Sequence, residues 1–282
     1  METRLSSSTK EVIIGVGRPT VLIGERINPT GKKKLTAALQ TGDMEAIKSE
    51  AMGQVAADAD MLDVNVGAMG IDQISILPQV LQQVMKTVDV PLCIDTDNIK
   101  ALEAALKVYK GKALVNSVTG EEKSLANVLP LVKQYGAVVI GLVQDGKGIA
   151  ADSGGRVAIA HKIVERAEVL GIHREDIIID CLALAIGADN KAGLTVLDTV
   201  HRIRDELGVN TTMGASNVSF GMPDRELLNS AFIATAIAAG ATCLVVDVAK
   251  VRSIVLAVDL ILGRDPYAGR YIKEYRKRRN AK

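Results

Sequence analysis

Eight short apolar runs in this chain finish on a carboxylate or a carboxamide: Glu25, Asn65, Asp95, Asn116, Gln144 with Asp145, Asp180, Asn217 and Asp247. Asp and Asn at the end of a run have an ordinary use as turn formers and helix N-caps, and that reading is preferred for Asp145 and Asp247. In "CIDTDN" and "IIIDCL" the acid is still embedded in the apolar run, so Asp95 and Asp180 need a partner from the protein or from a ligand. Arg26 is the one basic residue close to the end of a run, which serves a phosphate or a polyanionic head group poorly. A set of carboxylates and amides suits a flat, neutral heterocycle that presents several N–H donors and a few acceptors. The chain has no HExxH, no clustered His or Cys and no Ser-His-Asp order. Metal-assisted hydrolysis and acyl transfer therefore lack their reagents, and no bound metal is expected.

These residues need elements that bring eight run ends to one place. Strands are expected at 21–27, 61–66, 91–96, 113–118, 137–144, 177–184, 211–217 and 243–248. Each is followed by a segment with helical spacing of its apolar residues, such as "NIKALEAALKVYK" and "DRELLNSAFIATAIAAG". That alternation predicts an α/β fold, a (β/α)8 TIM barrel, in which chemistry gathers at the C-terminal ends of the strands. An open doubly wound sheet is the structural rival, but the first strand is followed by "GERINPTGKKK" rather than a Gly-rich dinucleotide fingerprint. Residues 1–20 read as a tail with a short strand or hairpin covering one end, 21–265 as the barrel, and 266–282 as a basic C-terminal tail.

Bulk properties bound the partners. The 282 residues carry a net charge of +1, so no basic face for nucleic acid is expected. Three scattered cysteines, Cys93, Cys181 and Cys243, suit a reducing compartment. The longest apolar run, Ala231 to Val246, is interrupted by Gly240 and Thr242 and ends at Asp247, which reads as helix then strand rather than a membrane span. A cytoplasmic protein with no membrane partner is the expectation. His161, His173 and His201 fall on helices or helix ends, away from the strand mouths, and "DGKGIAADSGG" lacks the Lys-Ser/Thr ending of a phosphate loop.

Among flat heterocycles a pterin fits this donor and acceptor set, since its 2-amino and ring N–H groups can meet Asp and its remaining edge can meet Asn. Across about residues 20 to 265 the chain resembles the pterin-binding methyltransferases, specifically the methyltetrahydrofolate:corrinoid methyltransferases. The resemblance is carried by "GERIN" (24–28), "DVNVG" (63–67), "PLCIDTDNIKALEAAL" (91–106), "VNSVTG" (115–120), "IIIDCL" (177–182) and "SNVSFGMPDR" (216–225). It implies a pterin-binding barrel of the dihydropteroate synthase-like type, assembled as a homodimer, with folate lying across the strand ends. By the same likeness Asp95, Asn116 and Asp180 contact the pterin, and Asn217 bonds near N5 and is the catalytic residue. Arg225 lies near the folate end, and Glu25 and Asn65 line the mouth. Tetrahydrofolate or methyltetrahydrofolate is the implied co-substrate, and the corrinoid (cobalamin) is implied to come on a separate carrier protein.

The resemblance also implies the reaction, transfer of a methyl group between N5 of tetrahydrofolate and corrinoid cobalt. The short chain and "SNVSFGMP" favour the direction from methylcorrinoid to tetrahydrofolate over the reverse. Phe220 departs from a position where some members carry a polar side chain. The chain lacks a DxHxxG cobalt-ligating segment and zinc-binding cysteines, so a stand-alone transferase is expected rather than a methionine synthase. Dihydropteroate synthase ranks lower, because its loop motifs are replaced here by "NPTGKKK" and "DVNVGAMG". A non-catalytic folate-binding barrel is disfavoured by the presence of Asn217.

Overall fold

A computed structural model describes residues 1–280. The chain opens with an antiparallel hairpin, β1 (Glu2–Ser6) and β2 (Glu11–Gly15). The barrel begins with β3 (Val21–Ile27), α1 (Lys33–Thr41), α2 (Met44–Ala56), β4 (Met61–Asn65), α3 (Gln73–Thr87), β5 (Leu92–Asp95) and α4 (Ile99–Val108). It continues through β6 (Leu114–Thr119), α5 (Glu122–Tyr135), β7 (Val138–Leu142), a two-residue hairpin β8 (Gln144–Asp145) and β9 (Gly148–Ile149), and α6 (Ser153–Val169). The last units are β10 (Ile177–Asp180), α7 (Ala192–Arg202), β11 (Asn210–Thr212), α8 (Arg225–Ala239), β12 (Cys243–Val246), α9 (Val248–Ile261) and α10 (Gly269–Asn280).

Eight parallel strands pair in the order β11-β10-β7-β6-β5-β4-β3-β12. The ring closes where Val245 N–H donates to Met213 O at 3.0 Å and Gly214 bridges Val245. This is the (β/α)8 architecture expected from the alternation of short β-branched runs with amphipathic segments. Helices start where the sequence supplies caps: Asp43, Asp72, Asn98 and Asp152 each accept a hydrogen bond from a backbone N–H in the first turn. Among the described residues, no helix is long and apolar enough to cross a membrane.

Two apolar layers hold the barrel. The outer layer packs helices on strands, and the inner one joins Val21, Ile23, Met61, Cys93, Leu114, Val138 and Ile178 with Leu5, Val12 and Ile14 of the hairpin. The hairpin is therefore a plug for the N-terminal end of the barrel. Asn210 fastens it from inside, donating to Thr3 Oγ1 at 2.9 Å and Ile14 O at 3.1 Å. The segment read from sequence as a basic tail is helical, as α10, through Asn280; residues 281 and 282 lie outside the described residues.

One buried carboxylate ties the start of the barrel to its end. Asp259 on α9 is fully buried and accepts from Thr20 N at 2.9 Å and Thr20 Oγ1 at 2.8 Å. Arg264 at 3.6 Å and Arg270 at 3.5 Å balance its charge. Replacing Asp259 with Ala leaves a buried N–H and two guanidinium groups without their acceptor, an expected loss of about 3–5 kcal/mol. Urea unfolding followed by circular dichroism checks this: the midpoint falls strongly in Asp259→Ala.

Candidate active site

Side chains alternate inward and outward along each strand, so residues two apart share a face. On β4 Met61, Asp63 and Asn65 therefore point into the barrel, on β5 Cys93 and Asp95, on β6 Leu114 and Asn116, and on β10 Ile178 and Asp180. The deeper member of each series, Met61, Cys93, Leu114 or Ile178, belongs to the inner apolar layer. The member nearer the C-terminal end is polar. The strand pairing sets Asn65 beside Asp95 and Asp95 beside Asn116.

This register builds a hydrogen-bonded floor. Asn65 donates from Nδ2 to Asp95 Oδ2 at 2.9 Å, and its Oδ1 accepts from Gly67 N at 2.7 Å, which fixes the amide. Asn116 Nδ2 makes a longer contact with Asp63 Oδ1 at 3.4 Å. Asp63 is 2% exposed, and burial followed by the neighbouring Asp95 pushes its carboxyl well above the ordinary carboxylate range. Asp95 is raised by burial, an effect opposed by the Asn65 amide. Asp180 is pushed up to about 6 by burial, against the Leu182 N–H, which donates to its Oδ1 at 2.8 Å, and the nearby Arg156 guanidinium.

Asn217 sits elsewhere than the sequence pattern suggested. β11 stops at Thr212, and Asn217 lies, exposed, on a 3-10 turn, Ala215–Ser219, that follows it. Two neighbours anchor that turn. Ser216 Oγ reaches Glu25 Oε1 at 3.5 Å, and Arg225, at the start of α8, donates to Ser216 O at 2.9 Å and Ser219 Oγ at 3.0 Å. The Arg225 guanidinium also stands 5.9 Å from the centre of the Phe220 ring, which is 70% exposed. Glu25 is half-buried, and desolvation followed by Asp247 raises its carboxyl above the usual range.

The remaining charges at the mouth are committed to one another. Arg26 pairs with Glu50 at 3.2 Å and Asp247 at 3.5 Å, and Lys32 donates to Arg26 O at 2.7 Å. Asp247 thus forms an ion pair and makes no side-chain cap. Gly24 permits this corner, because a Cβ there would lie 2.3 Å from Gln54 Oε1, the acceptor of Arg26 N–H. Gln144 and Asp145 are not the end of a barrel strand: β7 stops at Leu142, and they form one arm of the small hairpin.

A cavity of about 360 Å³ opens beside Asp95, Asn116, Ser117 and Gln144, and a second of about 420 Å³ shares Asp95 and adds Asn65 and Gln73. Asp95 therefore lines both cavities and Asn116 the first. Two residues escaped the sequence reading. Asp63 could have been found by counting back two from Asn65 on the same strand face. Arg156 lies on α6, remote in sequence from any strand end, and carried no such signal. Among the described residues, no three His, Cys, Asp or Glu side chains are grouped to hold a metal ion.

Residues 24–247 match the family model described as pterin binding enzyme. The chain is 29% identical over 264 residues to a methylcorrinoid:tetrahydrofolate methyltransferase of Eubacterium limosum, covering 91% of this chain and 96% of that one. It is 28% identical to the methionine synthase of Mycobacterium leprae over 84% of its own length, spanning only 21% of that protein. In fold it is similar to dihydropteroate synthase of Xanthomonas albilineans in complex with 7,8-dihydropteroate, with a TM-score of 0.69, 20% identity, and coverage of 92% and 98%. A second dihydropteroate synthase, from Yersinia pestis, gives a TM-score of 0.72 at 16% identity, covering 93% of this chain and 99% of its own. With a polar, carboxylate-rich barrel mouth and a family match across most of its length, the chain belongs to the pterin-binding enzymes.

Proposed function

We propose that the protein moves a methyl group between N5 of tetrahydrofolate and the cobalt of a corrinoid presented by a carrier protein, in the direction from methylcorrinoid to tetrahydrofolate. The observation that carries this is the carboxylate-and-amide floor at the strand ends together with an amide, Asn217, on an anchored turn that follows β11. The similarity to a methylcorrinoid:tetrahydrofolate methyltransferase over nearly the whole of both chains supports the same reaction and direction. Asp95 and Asp180 accept from the 2-amino and ring N–H groups of the pterin, and Asn116 meets its remaining edge. Such contacts hold the ring in one register and so act by positioning.

Asn217 works at N5. In the reverse direction N5 leaves as an amine, and positive charge on it must be accommodated; in the forward direction its lone pair must be aimed at the methyl group. A carboxamide can rotate to accept from a protonated N5 or donate to a neutral one, so one side chain serves both. Its contribution is to interact more strongly with the transition state than with bound substrate. The corrinoid supplies a cobalt centre that exchanges a methyl group with a nucleophile. Arg225 braces the Asn217 turn and lies near the folate tail, and Glu25 and Asn65 line the mouth. A homodimer is the proposed assembly.

The test is a pair of reactions. Protein with methylcobalamin and tetrahydrofolate is expected to change the cobalt absorbance as methyltetrahydrofolate forms. Protein with cob(I)alamin and methyltetrahydrofolate reports the reverse. No change in either mixture overturns the proposal; faster turnover in the second overturns its direction.

A further inference from the structure

Arg156 is 1% exposed, and among the described residues its hydrogen bonds all go to backbone carbonyls rather than to a carboxylate. Its guanidinium is spent on three backbone carbonyls: Nε donates to Ala150 O at 3.1 Å, and NH1 donates to Cys181 O at 3.0 Å and Leu182 O at 2.9 Å. The first carbonyl belongs to the segment that follows the β8–β9 hairpin, and the other two to the turn after β10. Leu182 takes a left-handed backbone, φ 55°, unusual for a residue with a branched side chain. Its N–H returns to Asp180 Oδ1, so the carboxylate and the guanidinium hold the same tight turn from opposite sides.

A buried guanidinium stays charged, because its proton is not lost in a protein. Burial lowers its pKa, and the nearby groups that favour its charge are Cys181, Asp180, Asp152 and Asp189. Cys181 is a buried thiol whose pKa is raised well above normal, so it contributes no charge. Asp152 is committed to capping α6 through Gly155 N, and Asp189 accepts from Lys191 N. Around Asp180 itself, β12 contributes only the thiol of Cys243, raised to about 12, and β11 the hydroxyl of Thr212. β7 contributes Leu142, the neighbour of Asp180 in the sheet. Arg156 is thus the cation whose charge lowers the Asp180 carboxyl, an influence smaller than burial and the Leu182 N–H.

We propose that Arg156 is a positioning residue for pterin recognition: it locks the turn after β10 so that Asp180 faces the mouth, and it supplies the countercharge for that carboxylate. The inference deepens the proposed function and rests on its assignment of Asp180 to the pterin. A neutral guanidinium substitute would leave Asp180 buried with no cation nearby. Its carboxyl would then protonate at a higher pH, and a protonated Asp180 loses an acceptor for the pterin N–H groups.

Two variants separate the clamp from the charge. Arg156→Gln keeps N–H donors for the carbonyls and removes the charge, whereas Arg156→Lys keeps the charge and loses the planar fork. The first readout is the carboxyl 13C titration of the whole protein with labelled aspartate, Asp180 being assigned by the resonance missing in Asp180→Asn. The wild-type midpoint is expected at about 6. It moves up by a measurable fraction of a pH unit in Arg156→Gln and stays near the wild-type value in Arg156→Lys. The second readout is tetrahydrofolate affinity against pH, whose acid limb moves up with the carboxyl midpoint in Arg156→Gln. In Arg156→Lys affinity falls at every pH with its limb in place.

An Asp180 midpoint unchanged in Arg156→Gln overturns the countercharge role, and so does a rise in Arg156→Lys equal to that in Arg156→Gln. A purely structural arginine would lower affinity without moving either midpoint. Wild-type protein that binds no tetrahydrofolate sinks the proposed function, and the carboxyl titration still decides Arg156, since it needs no ligand.

Discussion

Asn217→Ala is expected to lower the rate of methyl transfer by about 100-fold or more, the size of effect seen when one preorganised polar group at a developing charge is removed. Tetrahydrofolate affinity should change by less than about tenfold, because the pterin keeps its acceptors on the barrel floor. The split follows from geometry. Asn217 stands on a separate turn, braced by Arg225 and by the Ser216–Glu25 contact, while Asp95 and Asn116 lie in adjacent barrel strands. Removing a side chain from the turn leaves the floor's hydrogen bonds untouched. Single-turnover transfer at saturating folate, beside equilibrium binding of tetrahydrofolate, measures both terms. Equal losses in rate and affinity would make Asn217 a binding residue and overturn its catalytic assignment.

The second large effect concerns pH. Asp180 has a carboxyl pushed up to about 6 from an ordinary value near 3.8, and in the proposed function it accepts from pterin N–H donors in its ionised form. Affinity is therefore fully present above about pH 6 and is lost as the pH falls through that value, by about tenfold for each further pH unit. Asp180→Asn should remove this limb and bind weakly throughout, because the amide presents one acceptor in place of a charge. Isothermal titration of tetrahydrofolate between pH 5 and 8 checks it. A wild-type affinity flat across this range would remove Asp180 from pterin recognition, and an acid limb that persists in Asp180→Asn would assign the titration to another group. Asp95 and Asp63 are the groups to examine then, since both are raised and they face one another.

The sequence made the barrel legible because each unit repeats one physical solution. A β-branched run buried on both faces precedes a helix with one apolar stripe, and the boundary 21–27 of the first barrel strand is matched residue for residue. Asp95 and Asp180 were readable as the last residues of their strands, because a carboxylate embedded in an apolar run has few other uses, whereas Asn116, read as a strand end, lies inside β6, which runs on to Thr119. Asn217 was harder. β11 is only three residues long, so the apolar pattern ran on into a 3-10 turn with no change in composition. The same difficulty moved Gln144 from a strand end to a hairpin arm. Arg156 was beyond reach, since its partners are backbone carbonyls and carbonyls leave no mark on residue identity.

Asp63 shows a different limit. Its side chain faces the barrel interior, one layer below the floor, and its only amide contact is the long one from Asn116. Nothing in "DVNVG" distinguishes an inward acid from an outward one until the strand register is known. Period-two counting from Asn65 supplies that register once Asn65 is accepted as inward.

The plug formed by β1 and β2 constrains traffic through the protein. With Leu5, Val12 and Ile14 packed against the lower interior layer, the N-terminal end of the barrel is filled and ligands are left the C-terminal mouth. On the proposed function, folate and the corrinoid carrier would share that mouth, and a folate seated on the floor would be roofed over by whatever docks afterwards. A tight-binding carrier would slow turnover by detaining the finished folate beneath it, so the throughput of the enzyme would be governed by how readily its partner lets go.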